Sequence, residues 1–104
     1  MWRVIVTEFL VTPRALRDLN EIRIYLEQKA GDRVADRVEN RIFSAFDMLV
    51  QLKAVGHRLK DMRQSELRFH RVYRYVIVFR REPRVVVLRV LHGARDIANI
   101  LKML

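Results

Sequence analysis

A chain of 104 residues, 51% of them hydrophobic, is long enough for one domain with its own core. It contains no cysteine, which excludes a disulfide framework and a thiolate metal site. Its formal net charge of +9 favours an anionic partner such as nucleic acid, the ribosome or an acidic protein.

The excess positive charge lies in one half of the chain. Residues 1–52 hold eight Lys and Arg and eight Asp and Glu, whereas residues 53–95 hold twelve Lys and Arg against three acidic residues. Such a basic face either keeps a protein soluble or binds an anionic surface, and its confinement to one segment favours binding. Arg3 and Glu8 interrupt the apolar N-terminal stretch, which is unlike a signal peptide or a membrane span. We therefore expect a cytoplasmic protein without membrane contact.

The first predicted elements are a strand and two helices. Residues 4–11, VIVTEFLV, are rich in β-branched and apolar residues and predict a strand. Thr12 before Pro13 predicts a helix start, because Thr is a good N-cap and Pro is tolerated at the first helical position. Apolar residues at helical spacing then form one stripe that ends near Gly31 and a second that ends near Gly56. Helices joined by so short a turn fold back as an antiparallel hairpin.

The second half predicts three consecutive strands, at residues 67–73, 75–82 and 84–92, with a bend at Arg74. The order β-α-α-β-β-β favours an α+β fold of two layers, in which the N-terminal strand and the helical hairpin pack with a twisted antiparallel sheet. The last residues predict a short amphipathic C-terminal helix that packs under the sheet or binds a partner.

Alternation along the last strand predicts which side chains share a face. Val90 and His92 fall on one face, and Arg89 falls on the other face with Val87. Alternation alone leaves open whether Arg89 or His92 faces water. In the preceding strand Tyr75 alternates with apolar residues, which favours a place in the core over a role in stacking on nucleic-acid bases.

Few side chains of this sequence could do chemistry. The three histidines lack metal-ligand spacing, and there is no glycine-rich phosphate loop and no pair of carboxylates in the basic half. We therefore expect neither a metal site nor a cofactor. His92 either bonds a backbone carbonyl at the strand end or contacts a phosphate or an acidic side chain. Arg95 and Asp96 either form a local ion pair that opens the last helix or belong to a binding corner.

Four segments resemble the ParE branch of the RelE/ParE toxin superfamily in their order and spacing. They are PRALRDL at 13–19, GHR at 56–58, RYVIVFR at 74–80 and RVLHGARD at 89–96. The resemblance covers nearly the whole chain and implies a single RelE/ParE-like toxin domain over residues 1–104. The fold of this superfamily is a helical hairpin on a twisted antiparallel sheet, which agrees with the elements predicted from the residues.

The resemblance implies a toxin of a type II toxin–antitoxin module. ParE-like toxins are reported to block DNA gyrase, whereas RelE-like toxins are ribosome-dependent endoribonucleases that cut mRNA. A cognate antitoxin, ParD-like in the ParE branch, holds the toxin inactive with an acidic, partly disordered C-terminal half. Such a partner suits a basic protein, because complementary charge speeds association.

The two branches require different residues. Cutting RNA needs a general base, a general acid and cations for the phosphate charge. Arg74 and His92 fall where RelE-like toxins keep basic residues, but no tyrosine follows Tyr75, so the acid–base set is incomplete. This difference favours a non-enzymatic gyrase inhibitor. The alternatives are an mRNA interferase that uses Arg74, His92 and Arg95, and a family member that binds its antitoxin but has lost toxicity.

Two groups of residues are candidates for binding. The candidates for target binding are the basic residues of the sheet half, His57, Arg58, Arg74, Arg89, His92 and Arg95. The candidates for antitoxin binding are the apolar residues of the C-terminal segment, Ile97, Ile100, Leu101 and Leu104.

Overall fold

The computed structural model describes residues 9–51, 67–81, 84–93, 96 and 102, and the backbone of residues 57–58. Its elements are β1 (Phe9–Val11), α1 (Pro13–Ala30), α2 (Asp32–Gln51), β2 (His57–Arg58), β3 (Leu67–Val72), β4 (Tyr75–Arg80) and β5 (Val85–His92). The predicted C-terminal helix lies outside the described residues, as do Gly56, Arg95 and the four candidates for antitoxin binding.

The five strands form one sheet in the order β1-β5-β4-β3-β2. The predicted two-layer α+β architecture is confirmed, with the helical hairpin packed on one face of the sheet. The pairs β2–β3, β3–β4 and β4–β5 are antiparallel, whereas β1 pairs with β5 in parallel, so the sheet is mixed. A parallel pair needs a long crossover connection, and the helical hairpin with the intervening strands supplies it. The two-residue strand β2 was not predicted, because so short a strand carries no alternation.

Thr12 joins the start of α1 to β5. Its hydroxyl accepts a hydrogen bond from the Ala15 N–H at 3.0 Å, which confirms the predicted N-cap. The same hydroxyl donates to the carbonyl oxygen of Leu88 at 3.0 Å, and the Thr12 N–H donates to that of Val87 at 3.0 Å. The helix therefore begins where β1 stops pairing with β5.

The turn between the helices depends on Gly31. Its φ of 91° is in the region that favours glycine, and its N–H donates to the carbonyl oxygens of Leu26 and Glu27. The chain reverses direction there and α2 begins at the next residue. Both helices can then lay their apolar stripes on the same side of the sheet.

The main core lies between the helical hairpin and the sheet. Its largest fully buried side chains are Phe46, Phe79, Ile42, Leu49, Ile77, Val87 and Val90. Tyr75 is only 4% exposed and belongs to this core, as its alternation predicts. A second, smaller cluster on the other face consists of Val76, Val78 and Leu91 with Phe69 packed against them. Both faces of β4 are therefore buried, which explains why β4 reads as an apolar run.

A β-bulge interrupts the pairing of β4 with β5. Val78 pairs with Arg89, but its neighbour Phe79 pairs with Val87, so Leu88 has no partner on β4. One extra residue on one strand shifts the two-residue period of its side chains by one position. The strand therefore changes phase at the bulge.

The bulge makes the predicted alternation along β5 wrong. Val85 and Val87, before the bulge, and Val90, after it, all lie in the core beneath the helices, whereas alternation predicts Val90 on the opposite face. His92 pairs with Tyr75, and the two rings meet edge to face with their centroids 5.8 Å apart. His92 therefore lies on the helix side of the sheet with Val87, whereas alternation predicts these two residues on opposite faces.

Replacing Thr12 by Ala should lower the free energy of unfolding by about 1 to 2 kcal/mol, because the N-cap and the bond to Leu88 are both lost. Thr12→Ser keeps the hydroxyl and should stay within a few tenths of a kcal/mol of the unsubstituted chain. Urea denaturation followed by circular dichroism measures both variants. Equal losses for Ala and Ser would show that the hydroxyl contributes nothing to stability.

Candidate functional site

A cleft of about 1050 Å³ opens between the helical hairpin and the β3–β4 turn, beside the end of β5. Its polar lining residues include Arg14, Glu21, Arg37, Arg74, Arg89 and His92. Three of the six predicted target-binding residues, Arg74, Arg89 and His92, therefore converge here from two separate segments. Arg95 and the side chains of His57 and Arg58 lie outside what the structure describes.

A buried ion pair forms the floor of the cleft. Asp18, 6% exposed, accepts two hydrogen bonds from Arg89, Nε to Oδ2 at 2.7 Å and Nη2 to Oδ1 at 3.1 Å. These bonds raise the pKa of the Arg89 guanidinium above its ordinary value, and partial burial acts in the opposite direction. Asp18 Oδ2 also accepts the Val90 N–H at 3.0 Å. A two-bond pair of this geometry is a strong and directional contact.

Side chains complete the hydrogen bonding of β5 beyond the end of β1. Thr12 donates to the Leu88 carbonyl, Asp18 accepts the Val90 N–H, and Asp96 accepts the His92 N–H at 3.0 Å. Buried backbone groups need such partners because water cannot reach them. The Asp96 side chain therefore accepts a backbone N–H at the end of β5. This contact adds to the ion pair with Arg95 and the binding corner that the sequence suggests for Asp96.

The β3–β4 turn presents one aromatic and one basic side chain to the cleft. Tyr73 has a φ of 55°, and its ring is 51% exposed. The Arg41 guanidinium of α2 lies over that ring, 5.6 Å from its centroid, in a cation–π contact. Arg74 follows and is exposed at the rim. The turn thus joins the sheet to the α2 side of the cleft.

Arg23 ties the two helices together. Its guanidinium bonds Glu27 on its own helix and Asp36 and Glu39 on α2, at 2.7 to 2.8 Å. The hydrogen bonds that Arg23 donates to Glu27 and, with a smaller effect, to Asp36 raise the pKa of its guanidinium above the ordinary value. This cluster links the two helices of the hairpin outside the apolar core.

Neither a membrane-spanning helix nor a metal-binding group occurs in the described part of the chain. None of its helices combines the length and apolar character needed to cross a bilayer. Its His, Asp and Glu residues form no group of three or more that could hold a metal ion.

The family model for the ParE toxin of the type II toxin–antitoxin system parDE matches residues 9–97. The chain belongs to the ParE toxin family. The match confirms the resemblance carried by the four segments. Comparison with curated protein sequences gives no match.

The fold of this ParE-family toxin is similar to that of a solved structure described as the chromosomal ParDE TA system from P. aeruginosa. The TM-score is 0.70 at 18% sequence identity, over 83% of this chain and 95% of that one. At this identity the similarity concerns the fold alone.

Two of the four ParE-like segments meet in space through Asp18 and Arg89. Asp18 is the acidic residue of PRALRDL, and Arg89 opens RVLHGARD. Our sequence interpretation missed Asp18 as a site residue and placed Arg89 among target-binding residues, whereas its guanidinium is bonded to Asp18. A signal was present, because Asp18 follows Ala15 by three residues and so lies on the buried stripe of α1 with Leu19. A carboxylate on an apolar helix face requires a buried partner.

The glycine of RVLHGARD lies where the chain passes close to the β3–β4 turn. The buried Gly93 N–H donates to the Arg74 carbonyl oxygen at 2.7 Å. A Cβ at this position would lie 3.0 Å from Cγ2 of Val76 and 3.3 Å from that carbonyl oxygen. The glycine is therefore needed for close packing, and it holds the end of β5 against Arg74.

Replacing Arg89 by Met should lower the free energy of unfolding by about 3 kcal/mol, because the buried Asp18 carboxylate loses both guanidinium hydrogen bonds. The remaining cation, Arg14, has its Nε 3.9 Å from Asp18 Oδ1, too far to replace those bonds. Adding Asp18→Asn to Arg89→Met should recover part of that loss, since the amide is neutral and its oxygen can still accept the Val90 N–H. A double-mutant cycle by urea denaturation measures the coupling. Additive losses would contradict a direct Asp18–Arg89 interaction.

Replacing Gly93 by Ala should lower the free energy of unfolding by about 1 to 2 kcal/mol, because the added methyl group overpacks against Val76 and the turn. The combination Gly93→Ala with Val76→Ala should lose less than the sum of the single variants, since the shorter side chain makes room. Thermal denaturation of the four proteins gives the comparison. If Gly93→Ala is as stable as the unsubstituted chain, the close approach does not constrain this position.

Proposed function

We propose that this ParE-family toxin arrests growth by binding DNA gyrase and that a ParD-like antitoxin neutralises it. The observation that carries the proposal is the ParE family match over residues 9–97, which spans almost all the described elements. Gyrase is the target that the ParE branch implies. Inhibition by binding requires an exposed, complementary surface and no acid–base chemistry.

The described strands of the sheet hairpins provide such a surface for an anionic partner. Residues 67–81 and 84–93 contain seven arginines and no acidic residue. A local excess of positive charge raises the rate of encounter with a partner of the opposite sign. This distribution supports a basic docking face on the gyrase-binding toxin.

Among the proposed target-binding residues, Arg74 is the most accessible in the described part of the chain. It is exposed at the rim of the cleft, whereas Arg89 is bonded to Asp18 and His92 is half-buried against Tyr75. We therefore assign Arg74 the direct contact and Arg89 the role of positioning the end of β5. His57, Arg58 and Arg95 remain candidates for the same surface.

An acidic antitoxin fits the same charge distribution. A partly disordered chain that folds on binding covers a large surface with few residues, which suits neutralisation of a small toxin. The apolar residues Ile97, Ile100, Leu101 and Leu104 stay candidates for its hydrophobic anchors.

Ribosome-dependent mRNA cleavage is the second candidate function. The observation in its favour is that Arg74 and His92 line one cleft, so two of the three residues named for that chemistry are close in space. A cation for the phosphate and an imidazole are two of the groups that RNA cleavage uses. A second acid–base group would have to come from elsewhere.

Replacing Arg74 by Ala should raise the concentration that half-inhibits gyrase supercoiling about tenfold, which corresponds to one charge-assisted contact of about 1.4 kcal/mol. Arg17→Ala, an exposed arginine of α1 that does not line the cleft, should leave inhibition unchanged. Circular dichroism melts verify that both variants fold.

Ribosome-bound mRNA cleavage is measured in parallel with the same proteins. If mRNA is cut while supercoiling is unaffected, the gyrase proposal is wrong and the second candidate replaces it. If neither target responds and expression without antitoxin is harmless, the chain is a family member that has lost toxicity.

A further inference from the structure

Two exposed tyrosine rings line the cleft. Tyr25 projects from α1 and Tyr73 from the β3–β4 turn, and each is 51% exposed. Tyr75, two residues from Tyr73, is by contrast buried in the core. Half-exposed rings on two sides of a cleft leave apolar surface in water, and they offer flat faces for stacking by an aromatic ligand.

The side of the cleft formed by α2 and the β3–β4 turn is basic, and the neighbouring carboxylates of α2 form ion pairs with Arg23. We call Arg37, Arg41, Tyr73 and Arg74 the basic wall. Arg37 and Arg74 are exposed and line the cleft, and neither has an ion-pair partner among the described residues. Asp36 and Glu39 of α2, the carboxylates nearest in sequence, both bond Arg23. The basic wall therefore keeps its positive charge.

The described lining of the cleft holds four arginines and three carboxylates, so positive charge stays in slight excess. Asp18 is neutralised by two bonds from Arg89 and accepts the Val90 N–H as well. Asp96 accepts the His92 N–H. Glu21 of α1 is exposed in the cleft opposite the basic wall and can accept a hydrogen bond from an exocyclic amino group of a base.

We propose that this cleft binds single-stranded nucleic acid, with bases stacked on Tyr73 and Tyr25 and phosphates held by Arg37 and Arg74. The Tyr73 ring and the guanidinium groups of Arg37 and Arg74 line the same cleft, so it combines a stacking face with cations for phosphate. An acidic peptide would use the arginines but not the two stacking faces. A duplex hides its base faces and would leave the rings without a ligand. The proposal concerns binding, goes beyond gyrase inhibition and does not rest on it.

Fluorescence anisotropy with the purified full-length chain tests the proposal. The probes are labelled eight-nucleotide oligothymidylate and oligouridylate and a duplex of the same length, each titrated over a series of salt concentrations. We expect both single strands to bind more tightly than the duplex. Tighter binding of oligouridylate would assign RNA as the ligand through its 2′-hydroxyls, and equal binding would assign strands of either sugar.

The variants separate stacking from charge. Tyr25→Ala and Tyr73→Ala should each weaken binding about five- to a hundredfold, whereas the Phe variants, which keep the ring, should stay within about twofold.

Arg37→Gln and Arg74→Gln should each lower the slope of log affinity against log salt by about 0.7, the value for one phosphate contact on a single strand. Arg17→Gln removes the same charge outside the cleft and should leave the slope unchanged. Tyr25→Ala is expected to fold, because alanine is favoured in a helix.

Three results would overturn the proposal. The first is a duplex affinity equal to that of the single strands, and the second is an Arg17→Gln effect equal to that of Arg37→Gln. The third is full displacement of the strand by a glutamate-rich peptide of the same charge with no loss in the Tyr→Ala variants, which would make the cleft a peptide site. The supercoiling assay measures gyrase activity and not strand binding, so failure of this proposal leaves the gyrase proposal intact.

Discussion

The bidentate contact between Asp18 and Arg89 is the constraint on which the cleft depends. A carboxylate buried on the apolar stripe of α1 requires both a cation and a backbone donor, and β5 offers them side by side as Arg89 and the Val90 N–H. This requirement fixes the position of α1 along the length of β5. It also places the helix beyond the last residue of β1, where the edge of β5 would otherwise lack partners.

The bulge at Leu88 makes this arrangement possible. If Leu88 were paired regularly instead of bulged, strict alternation would separate Val90 from Val87, and one of them would leave the core. With it, Val87 and Val90 both pack under the helices while Arg89 reaches Asp18. The end of β5 is then held close to the β3–β4 turn by the Gly93–Arg74 hydrogen bond, and the residues that line the cleft are brought together. The residues of the ParE-like segments therefore hold β5 against α1 and the β3–β4 turn, in addition to any contact that they make with a target.

The local signals in the sequence predicted individual elements well. The Thr-Pro start of α1, the turn at Gly31, the bend at Arg74 and the core position of Tyr75 each follow from properties of a few neighbouring residues. The parallel direction of β1 and the partner of Asp18 depend on residues more than seventy positions apart. No local pattern specifies such a pairing, although a carboxylate on an apolar helix face indicates that the fold must supply a hydrogen-bonding or charged partner for it.

The amino-acid sequence alone specifies the α+β class, the helical hairpin, the basic character of the second half and membership of the ParE toxin family, because capping, periodicity, charge and motif order are local or additive properties. The pairing of Arg89 with Asp18 and the exposure of Arg74 are visible only in the folded chain, because a single unpaired residue in β5 changes the face of every side chain after it. Tyr25 and Tyr73 share a cleft with the arginines because the fold brings α1, α2, the β3–β4 turn and β5 together from distant parts of the sequence.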